Sequence, residues 1–477
     1  MRGAEAIQKQ KVVEQLTAVR RSTNAELRKL ILEENRIDIL AALLGYDIAP
    51  FHFKILSFKM GLDFGNRWRR STLIIGPRGF GKSTAMNVVL NTWRILKNPN
   101  IRILLCSKSE GKAKAFLHEI KACLTNPRVI EIFGNQKGDK WEESSIIVAG
   151  RTVVRKEPTV STTGLDSQVA SGHYDSITAD DMIDEKNTIT PHLREVSKTF
   201  FYKSLLPTLE PHGEIDVLGT RYHFDDLYNW LMKQDSDFST STLIVSCFDE
   251  NGESIYPEKF STEFLLRKKR NMGSIIFESQ YEGKTDKMTG KIFNWDSFTW
   301  IENAPTPTGM RVFQGVDLAI SQSDSSADFA HCTVFHDKEN FKYYVVDCWK
   351  GKLTFLQQTK LIVEKFEQFD PVRVGIEANG YQAAKYQELR DSRNERERAV
   401  RARPMQTSKD KEARAWKLTA EFERGDIIFV RGAVDALAYA LIEMPESGKD
   451  LFDALDIALR TSKMGQKKQR TSESGVI

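Results

Sequence analysis

Residues 76–83 read GPRGFGKS, a complete phosphate-binding loop of the form G-x-x-x-x-G-K-S/T. Its glycines let the backbone turn tightly, so that several N–H groups point toward one anion. Lys82 is expected to place its charge against the β- and γ-phosphates of a nucleotide, and the Ser83 hydroxyl to ligate the Mg²⁺ ion that bridges them. The residues predicted to bind nucleotide here are Gly76, Pro77, Arg78, Gly79, Phe80, Gly81, Lys82, Ser83 and Thr84.

A β-prone run at residues 176–181, SITADD, ends in two acids and predicts the second site that such a loop needs. An ATPase requires carboxylates on a neighbouring strand to hold Mg²⁺ and to polarise the attacking water. We assign Asp180 to Mg²⁺ and Asp181 to water activation. Because Asp is one methylene shorter than the usual Glu, Glu185, one turn further on, is an alternative catalytic base.

The next predicted strand closes with GTRYH at residues 219–223. A small hydroxyl beside an arginine at the carboxyl end of a strand can sense a γ-phosphate and pass its loss to neighbouring elements. Thr220 is therefore predicted to contact the nucleotide. An ordinary turn sequence is the alternative interpretation.

Acidic residues recur in the second half of the chain. Asp317 and Glu377 each stand in an apolar, strand-like run, where an ionised carboxylate is costly to bury unless it is paired or binds metal. Asp450 and Asp453 lie at i and i+3 on one predicted helix. We predict that these carboxylates bind two divalent ions, Mg²⁺ or Mn²⁺, about 4 Å apart, with Asp317, Glu377 and Asp453 catalytic. Taken singly, each acid is also compatible with a strand-end cap or a surface pair.

The elements that must position these groups alternate between strands and helices. Short apolar runs and helical spacings across residues 72–220 predict a mainly parallel sheet covered by helices, and residues 146–154 are predicted to form a hairpin that turns at residues 150–151. The sequence APTPTG at residues 304–309 marks a boundary before a second α/β unit. The predicted domains are N-terminal helices with a P-loop ATPase core (1–224), a linker or lid subdomain (225–308), a nuclease (309–462) and a basic flexible tail (463–477).

Composition sets the broad class of protein. A chain of 477 residues is too long for one compact core, which favours two or three domains. The net charge of +4 is too small on its own to indicate a nucleic-acid binder. Five scattered cysteines without a C-x-x-C pair favour a reduced, cytoplasmic protein, and the lack of a long apolar run predicts no membrane span.

Taken in the order in which they occur along the chain, these motifs resemble those of the large terminase subunit of tailed bacteriophages. The resemblance covers roughly residues 50–460 and rests on GPRGFGKS, the strand that ends in Asp180 and Asp181, GTRYH, the segment FESQYEG at residues 277–283, and the downstream acids. It implies an α/β fold in which a P-loop ATPase domain of the additional-strand type, with a small linker or lid, is followed by a ribonuclease-H-like nuclease.

The resemblance also implies a function, cofactors and partners. The chain would be a viral DNA-packaging motor that uses ATP with Mg²⁺ to drive double-stranded DNA into a procapsid, and its two-metal endonuclease would cut concatemeric DNA when packaging starts and ends. The implied partners are duplex DNA, the portal protein, the small terminase subunit and further copies of the chain in a ring, a pentamer, on the procapsid, with a monomer in solution also compatible. The implied location is the host cytoplasm, transiently at the portal, without a membrane.

Two other functions fit parts of the same pattern. One is a cellular repair or recombination ATPase fused to a resolvase-like nuclease, which would prefer branched DNA. The other is a nucleotide-switched scaffold with an inactive nuclease fold.

The arginine finger departs from the family pattern. Related motors supply this arginine from a neighbouring subunit, often shortly before the second acidic motif, yet residues 156–193 contain no arginine. Arg78, inside the P-loop, is therefore predicted to act in cis. The candidates that could act in trans are Arg151, Arg155, Arg194 and Arg221.

Between Glu377 and Asp450, the segment SKDKEAR at residues 408–414 resembles a family segment beside the nuclease site. Lys411 and Arg414 are accordingly expected to bind DNA phosphate or to orient the scissile group. A solvated helical face is the alternative, because acids are interleaved with the basic residues.

Overall fold

The computed structural model describes residues 22–62, 68–167, 172–188, 190–233, 237–318, 328–378, 383–406 and 411–464. It divides into two compact units: the first contains the residues up to Lys268 together with Ile276–Asp286, and the second contains Lys269–Ile275 and the residues from Lys287 onward. The segment predicted as a separate linker or lid, residues 225–308, is thus shared between the two units. Residues 408–410 and the tail from residue 465 lie outside the described residues. Among the described helices, none combines the length and apolar character needed to cross a bilayer.

The first unit is an α/β sandwich around one large sheet. Its strands are β1 (Ser71–Ile75), β2 (Ile103–Ser107), β3 (Lys137–Trp141), β4 (Ser145–Val148), β5 (Val160–Gly164), β6 (Tyr174–Asp180), β7 (Leu209–Gly219) and β8 (Thr242–Ile244). Its α-helices are α1 (Asn24–Leu32), α2 (Ile37–Leu43), α3 (Pro50–Met60), α4 (Leu90–Lys97), α5 (Glu110–Leu124), α6 (Pro127–Phe133), α7 (Glu185–Thr188), α8 (Pro191–Phe200), α9 (Leu227–Lys233) and α10 (Asp237–Thr240). π-Helical turns cover Thr84–Val89 and Phe201–Leu205.

The strand order in this sheet is β3-β4-β5-β2-β6-β7-β1-β8. The six strands from β5 to β8 are parallel, and β2 is buried along its whole length, as expected for a parallel strand covered on both faces. Strand β7 lies between β1, which leads into the P-loop, and β6, which ends in Asp180. This inserted strand confirms the additional-strand class of P-loop fold.

The hairpin predicted at residues 150–151 is wrong. Strand β4 ends at Val148 and pairs antiparallel with β3 on one side and β5 on the other. The β-branched residues that suggested a returning strand, Thr152, Val153 and Val154, are exposed. These residues have a high intrinsic β-propensity, but a strand is stabilised mainly by the packing of its side chains. Because these side chains are exposed, they do not stabilise a strand here.

The second unit is built on a second sheet. Its strands are β9 (Thr299–Ile301), β10 (Arg311–Asp317), β11 (Asp328–Asp337), β12 (Lys342–Lys352), β13 (Arg373–Glu377), β14 (Ala402–Met405) and β15 (Ile427–Val430), in the order β14-β13-β10-β11-β12-β15-β9. Helices α11 (Thr262–Met272) and α12 (Ser274–Phe277) lie where the chain passes between the segments of the two units. The remaining helices are α13 (Phe355–Phe369), α14 (Ala383–Asp391), α15 (Glu395–Arg398), α16 (Lys411–Glu423), α17 (Asp435–Ile442) and α18 (Lys449–Lys463).

Two glycines let helix α18 lie directly on the centre of this sheet. A Cβ atom added to Gly315 in β10 would lie 2.1 Å from the carbonyl oxygen of Ala454, and one added to Gly375 in β13 would come equally close, 2.1 Å, to another α18 residue. Because alternate residues of a strand share a face, Asp317 and Glu377 lie on the same side as these glycines. The sheet therefore presents both acids toward the face that α18 covers.

Candidate active sites

The phosphate loop joins β1 to a helix and is held in a tight conformation. Gly79 and Gly81 have φ angles of +82° and +83°, which a residue with a side chain rarely adopts. The Lys82 side chain is buried, and its Nζ donates a hydrogen bond to Thr220 Oγ1 at 3.1 Å. The hydroxyl of Thr220 in turn lies 3.3 Å from the carbonyl oxygen of Gly76. The structure therefore brings the predicted P-loop lysine and the predicted sensor threonine into direct contact.

Asp180 lies at the carboxyl end of β6 and is fully buried. Its Oδ2 accepts a hydrogen bond from Asn87 Nδ2 at 3.4 Å, whereas its Oδ1 has no hydrogen-bond partner among the described residues. Burial, followed by the charge of Asp181, raises the pKa of Asp180 to about 7, although Lys82 and Ser83 act in the opposite direction. A buried carboxylate oxygen without a donor fits the Mg²⁺ that accompanies ATP, because a divalent cation would supply the missing partner.

The two candidates for water activation differ in where they lie. Asp181 has a φ angle of +47°, a conformation uncommon for a residue other than glycine, and its Oδ1 lies 4.0 Å from Lys82 Nζ. Its backbone N–H donates to the Leu218 carbonyl oxygen at 3.0 Å, which fixes this turn. Glu185 is exposed at the first position of α7. The geometry places Asp181 against the phosphate loop.

Two of the arginines considered as fingers are buried in ion pairs inside their own unit. Arg221 contacts Asp226 at 3.1 Å and donates to Thr285 Oγ1 at 2.8 Å. Arg194 lies 3.2 Å from Asp225 and also donates to the backbone of α7. Because the side chains of Arg221 and Arg194 are 4% and 9% exposed, neither can reach a neighbouring subunit without breaking these contacts. We therefore interpret both arginines as structural residues and not as arginine fingers.

Two of the other arginine candidates are accessible. Arg78 and Arg155 are exposed, whereas Arg151 is half-buried and the terminal nitrogens of its guanidinium are buried. The backbone N–H of Arg78 donates to the carbonyl oxygen of Gln280 at 3.2 Å. The segment FESQYEG, which includes the π-helical turn Glu278–Glu282, thus packs against the phosphate loop.

His52 is a residue of the nucleotide site that the sequence analysis missed. Its Nδ1 accepts a hydrogen bond from the Ala49 N–H at 2.9 Å, and its Nε2 lies 2.7 Å from the Phe80 carbonyl oxygen. Burial lowers the pKa of His52 to about 4, so the neutral ring must carry its proton on Nε2 and donate it to Phe80. A Cβ atom on Gly81 would lie 2.8 Å from the same nitrogen. No motif in the sequence marks this contact.

In the second unit, Asp317 and Glu377 end two parallel neighbouring strands, β10 and β13. The Asp317 residue is only 6% exposed. Burial raises the pKa of Asp317 to about 9, and a hydrogen bond with Glu377 and the charge of Asp453 act in the same direction. Three of the four metal ligands predicted for this unit therefore influence one another, and a hydrogen bond joins Asp317 to Glu377.

The third acid, Asp453 on α18, is already paired with two cations. Its Oδ1 accepts a hydrogen bond from the Arg414 guanidinium at 2.6 Å, and its Oδ2 contacts the ammonium of Lys411. The second arm of Arg414 contacts Asp456 at 2.6 Å. The two residues predicted to bind DNA phosphate are thus turned toward carboxylates, and Arg414 bridges two acids of the same helix.

These contacts decide how well the acids fit divalent ions. Within the described ranges, no three histidine, cysteine or acidic side chains are arranged as a ready-made metal site. Asp317 and Glu377 fit one ion, because a cation that replaced the proton of Asp317 would relieve the repulsion between a buried carboxylate and its half-buried neighbour. Asp453 fits only if Lys411 moves away, and Asp450 is paired with Lys350 at 2.7 Å.

Arg414 gives a prediction about stability. Replacing Arg414 by Gln is expected to lower the free energy of unfolding by about 1.5–3 kcal/mol, because two largely buried carboxylates would each lose one of two cationic partners and keep only Lys411 or Arg460. The matched control is Arg396→Gln, whose guanidinium is exposed and pairs with exposed Glu367, and which should leave the free energy of unfolding nearly unchanged. Urea unfolding of both variants measures the difference. Equal effects would contradict the buried, bridging role of Arg414.

Comparison with known proteins finds similarity to terminases. Residues 314–461 match the family of terminase RNaseH-like domains, whereas no curated protein matches the chain. Among solved structures, the large terminase from a thermophilic bacteriophage is 10% identical, with 87% of this chain and 98% of that chain covered and a TM-score of 0.47. The large terminase of bacteriophage HK97 is 11% identical, with 87% and 95% covered and a TM-score of 0.36. The nuclease domain of the large terminase from bacteriophage SPP1, solved with bound Mn, is 14% identical, with 35% and 98% covered and a TM-score of 0.27.

The family match extends from β10 to α18 and so includes the elements that carry Asp317, Glu377 and Asp453. Residues 314–461, which lie in the second unit, therefore match a terminase domain of the ribonuclease-H-like class, and this match supports the resemblance of the chain to large terminase subunits.

Proposed function

We propose that this chain is the motor subunit that packages viral double-stranded DNA, with ATP hydrolysis in the first unit and metal-dependent DNA cutting in the second. One observation carries the proposal. The chain contains both sites. In the first unit the P-loop lysine contacts the predicted sensor threonine and faces a pair of acids. The second unit matches a terminase nuclease domain, and its acids interact with one another.

The first unit has the groups that hydrolysis requires. Mg²⁺, held through Ser83 and Asp180, would neutralise charge on the β- and γ-phosphate oxygens. Lys82 binds the γ-phosphate, and Asp181 orients the attacking water and accepts its proton. Hydrolysis would then depend on positioning and charge more than on covalent chemistry.

The contact between Lys82 and Thr220 supplies a means of reporting hydrolysis. A γ-phosphate competes with Thr220 for the protons of Lys82, and phosphate release restores the bond. Thr220 is followed directly by Arg221, which donates to Thr285. The presence of the γ-phosphate would thus be passed from the loop to the segment Ile276–Asp286.

The second unit would cut DNA with Mg²⁺ or Mn²⁺. A divalent ion there would activate water and stabilise the leaving oxygen. Asp317 and Glu377 would hold it, and Asp317, whose pKa is raised, would give up its proton on binding. The phosphate backbone of DNA would compete with Asp453 for Lys411, so that substrate binding releases Asp453 as a further ligand.

The remaining partners belong to the same proposal. Duplex DNA is the substrate, and the portal protein, the small terminase subunit and further copies of the chain in a ring on the procapsid are the assembly partners. The work would take place in the host cytoplasm, at the portal.

Packaging tests the proposal directly. Procapsids that carry portal are mixed with linear duplex DNA, this chain and ATP, and DNA protected from added nuclease is measured. We expect protection that requires hydrolysable ATP. Cutting confined to branched DNA, without protection, would favour a repair enzyme, and a lack of any divalent-dependent cutting would favour a scaffold.

A further inference from the structure

A line of buried polar side chains runs along the helix that follows the phosphate loop. Asn87, Asn91 and Arg94 lie at i, i+4 and i+7, so they share one face of this helical segment. The relative exposures of these residues are 0%, 0% and 3%. Buried amides and guanidinium groups are costly unless they are hydrogen-bonded, so their partners matter.

Arg94, at the end of this line farthest from the phosphate loop, is held by ion pairs. Arg94 lies 2.6 Å from Asp216 and 2.8 Å from Glu214, both on β7. Lys59 joins the same two acids at 2.8 Å and 2.9 Å. Since a guanidinium can only donate hydrogen bonds, Arg94 cannot reverse its role toward its neighbours.

This fixed donor sets the orientation of both amides. Arg94 donates to Asn91 Oδ1 at 2.8 Å, which leaves Asn91 Nδ2 as the donor to its other neighbours. That nitrogen lies 2.8 Å from the Asn87 carbonyl oxygen, 3.0 Å from Thr178 Oγ1 and 3.4 Å from Asn87 Oδ1. Because Asn87 Oδ1 faces the Asn91 donor and the Asp180 carboxylate can only accept, Asn87 presents its NH₂ group to Asp180.

This orientation of the amides makes the two oxygens of the Asp180 carboxylate differ in their hydrogen bonding. One of its oxygens, Oδ2, receives the Asn87 donor, and the other, Oδ1, is the buried oxygen without a hydrogen-bond partner among the described residues. Rotation of the carboxylate would break the bond to Asn87. The orientation of the whole line thus fixes the direction in which the second, open oxygen of Asp180 points.

We propose that Asn87 is a positioning residue which, oriented by Asn91 and Arg94, holds the Asp180 carboxylate with Oδ1 open to the Mg²⁺ of bound ATP. The inference rests on the proposed ATPase function and extends it to a residue outside the known motif positions. Asn87 acts through Asp180 and is not a catalytic residue. Partners of this kind, one step removed from a metal, typically change metal affinity about 10- to 100-fold when they are replaced.

Nucleotide binding with and without metal tests the proposal independently of turnover. The full chain is titrated with a fluorescent ATP analogue, once in Mg²⁺ and once in EDTA. For the wild type we expect tighter binding in Mg²⁺. For Asn87→Leu, which is close in size, we expect this Mg²⁺-dependent gain to fall about 10- to 100-fold, while the affinity in EDTA changes by less than about twofold.

Thr92→Val is the matched control. Thr92 is also buried on this helix, and its hydroxyl donates to the Val88 carbonyl oxygen of the preceding turn at 2.8 Å. This variant should keep the full Mg²⁺-dependent gain. Asn87→Ser, whose hydroxyl is too short to replace the amide, serves as the second variant should Asn87→Leu fail to fold.

The outcomes separate this inference from the proposed function. A wild-type chain that binds the analogue with the expected Mg²⁺ gain, together with Asn87 variants that keep that gain, would overturn the positioning role alone. Loss of EDTA affinity equal to the loss in Mg²⁺ would also overturn it, because the effect would then be on the fold. A wild-type chain that does not bind the analogue would overturn the ATPase proposal, and this inference with it.

Discussion

Replacement of Lys82 by alanine is expected to lower ATP turnover about 10²–10³-fold, the effect of removing one preorganised group that stabilises transition-state charge. The reason is positional as well as electrostatic. The Lys82 side chain is 7% exposed, and its ammonium is fixed between Thr220 Oγ1 at 3.1 Å and Asp181 Oδ1 at 4.0 Å. A buried charge placed in this way needs little reorganisation during the reaction. Steady-state phosphate release measures the change.

The control for this experiment lies on the same helical segment. Lys97, at the other end of α4, is exposed and contacts Asn35, so Lys97→Ala should leave turnover unchanged. Divalent-dependent nicking of plasmid DNA by Lys82→Ala should equal that of the wild type, because the nuclease acids belong to the second unit. Persistent ATP turnover in Lys82→Ala would refute the P-loop assignment.

The parts of the sites that could be predicted from sequence are those whose chemistry is local. The phosphate loop is recognisable because Gly79, Gly81 and Lys82 act through backbone shape and a charge within eight consecutive residues. Asp180 and Asp317 are recognisable for another reason. An acid at the end of an apolar strand is improbable without a metal or a partner.

The partners of long side chains could not be predicted in this way. Arg194 and Arg221 resemble free arginines in sequence, yet each is buried against an aspartate at the start of α9. Lys411 and Arg414 suggested DNA contacts, and the structure gives both an acid of α18. Except for Arg221 and Asp226, these pairs join residues 31 to 42 positions apart, and no short-range spacing encodes them.

Asn87 shows the same limit in a stronger form. In sequence it is an unremarkable polar residue of the helix after the phosphate loop. Its importance arises only from the fixed direction of hydrogen bonds that starts at Arg94 and the acids of β7. Which group donates and which accepts in a buried hydrogen-bond network is determined by the folded chain.

Asp317→Asn is expected to reduce DNA cutting at least ~10²-fold. Replacing a residue that only contacts a metal ligand lowers metal affinity or activity by up to about 100-fold, and Asp317 is predicted to bind the metal directly. In the absence of metal the same substitution is expected to stabilise the protein, by about 1–3 kcal/mol at pH 8, because it removes a carboxyl group buried beside Glu377 and Asp453. ATP turnover should stay unchanged. Plasmid nicking and calorimetry in EDTA measure the two effects.

The pH dependence of this stabilisation identifies its cause. The pKa of Asp317 is about 9 in the folded chain and near 3.8 in the unfolded chain. Below the lower value both states are protonated, so the wild type and Asp317→Asn should be equally stable. As the pH rises toward 9, only the unfolded wild type releases this proton, and its stability falls relative to the variant. Asp391→Asn, at an exposed position of the same unit, should show no such trend.

Divalent metal should reverse the order of stability. Mn²⁺ bound between Asp317 and Glu377 would replace the proton of Asp317 and stabilise the folded wild type by mass action, whereas Asp317→Asn would offer one carboxylate fewer and gain less. We therefore expect the variant to melt above the wild type in EDTA, and the gap to narrow or invert in Mn²⁺. A gap that does not respond to Mn²⁺ would mean that these acids form a structural pair, because only a metal site couples the repulsion between buried carboxylates to the binding of a cation.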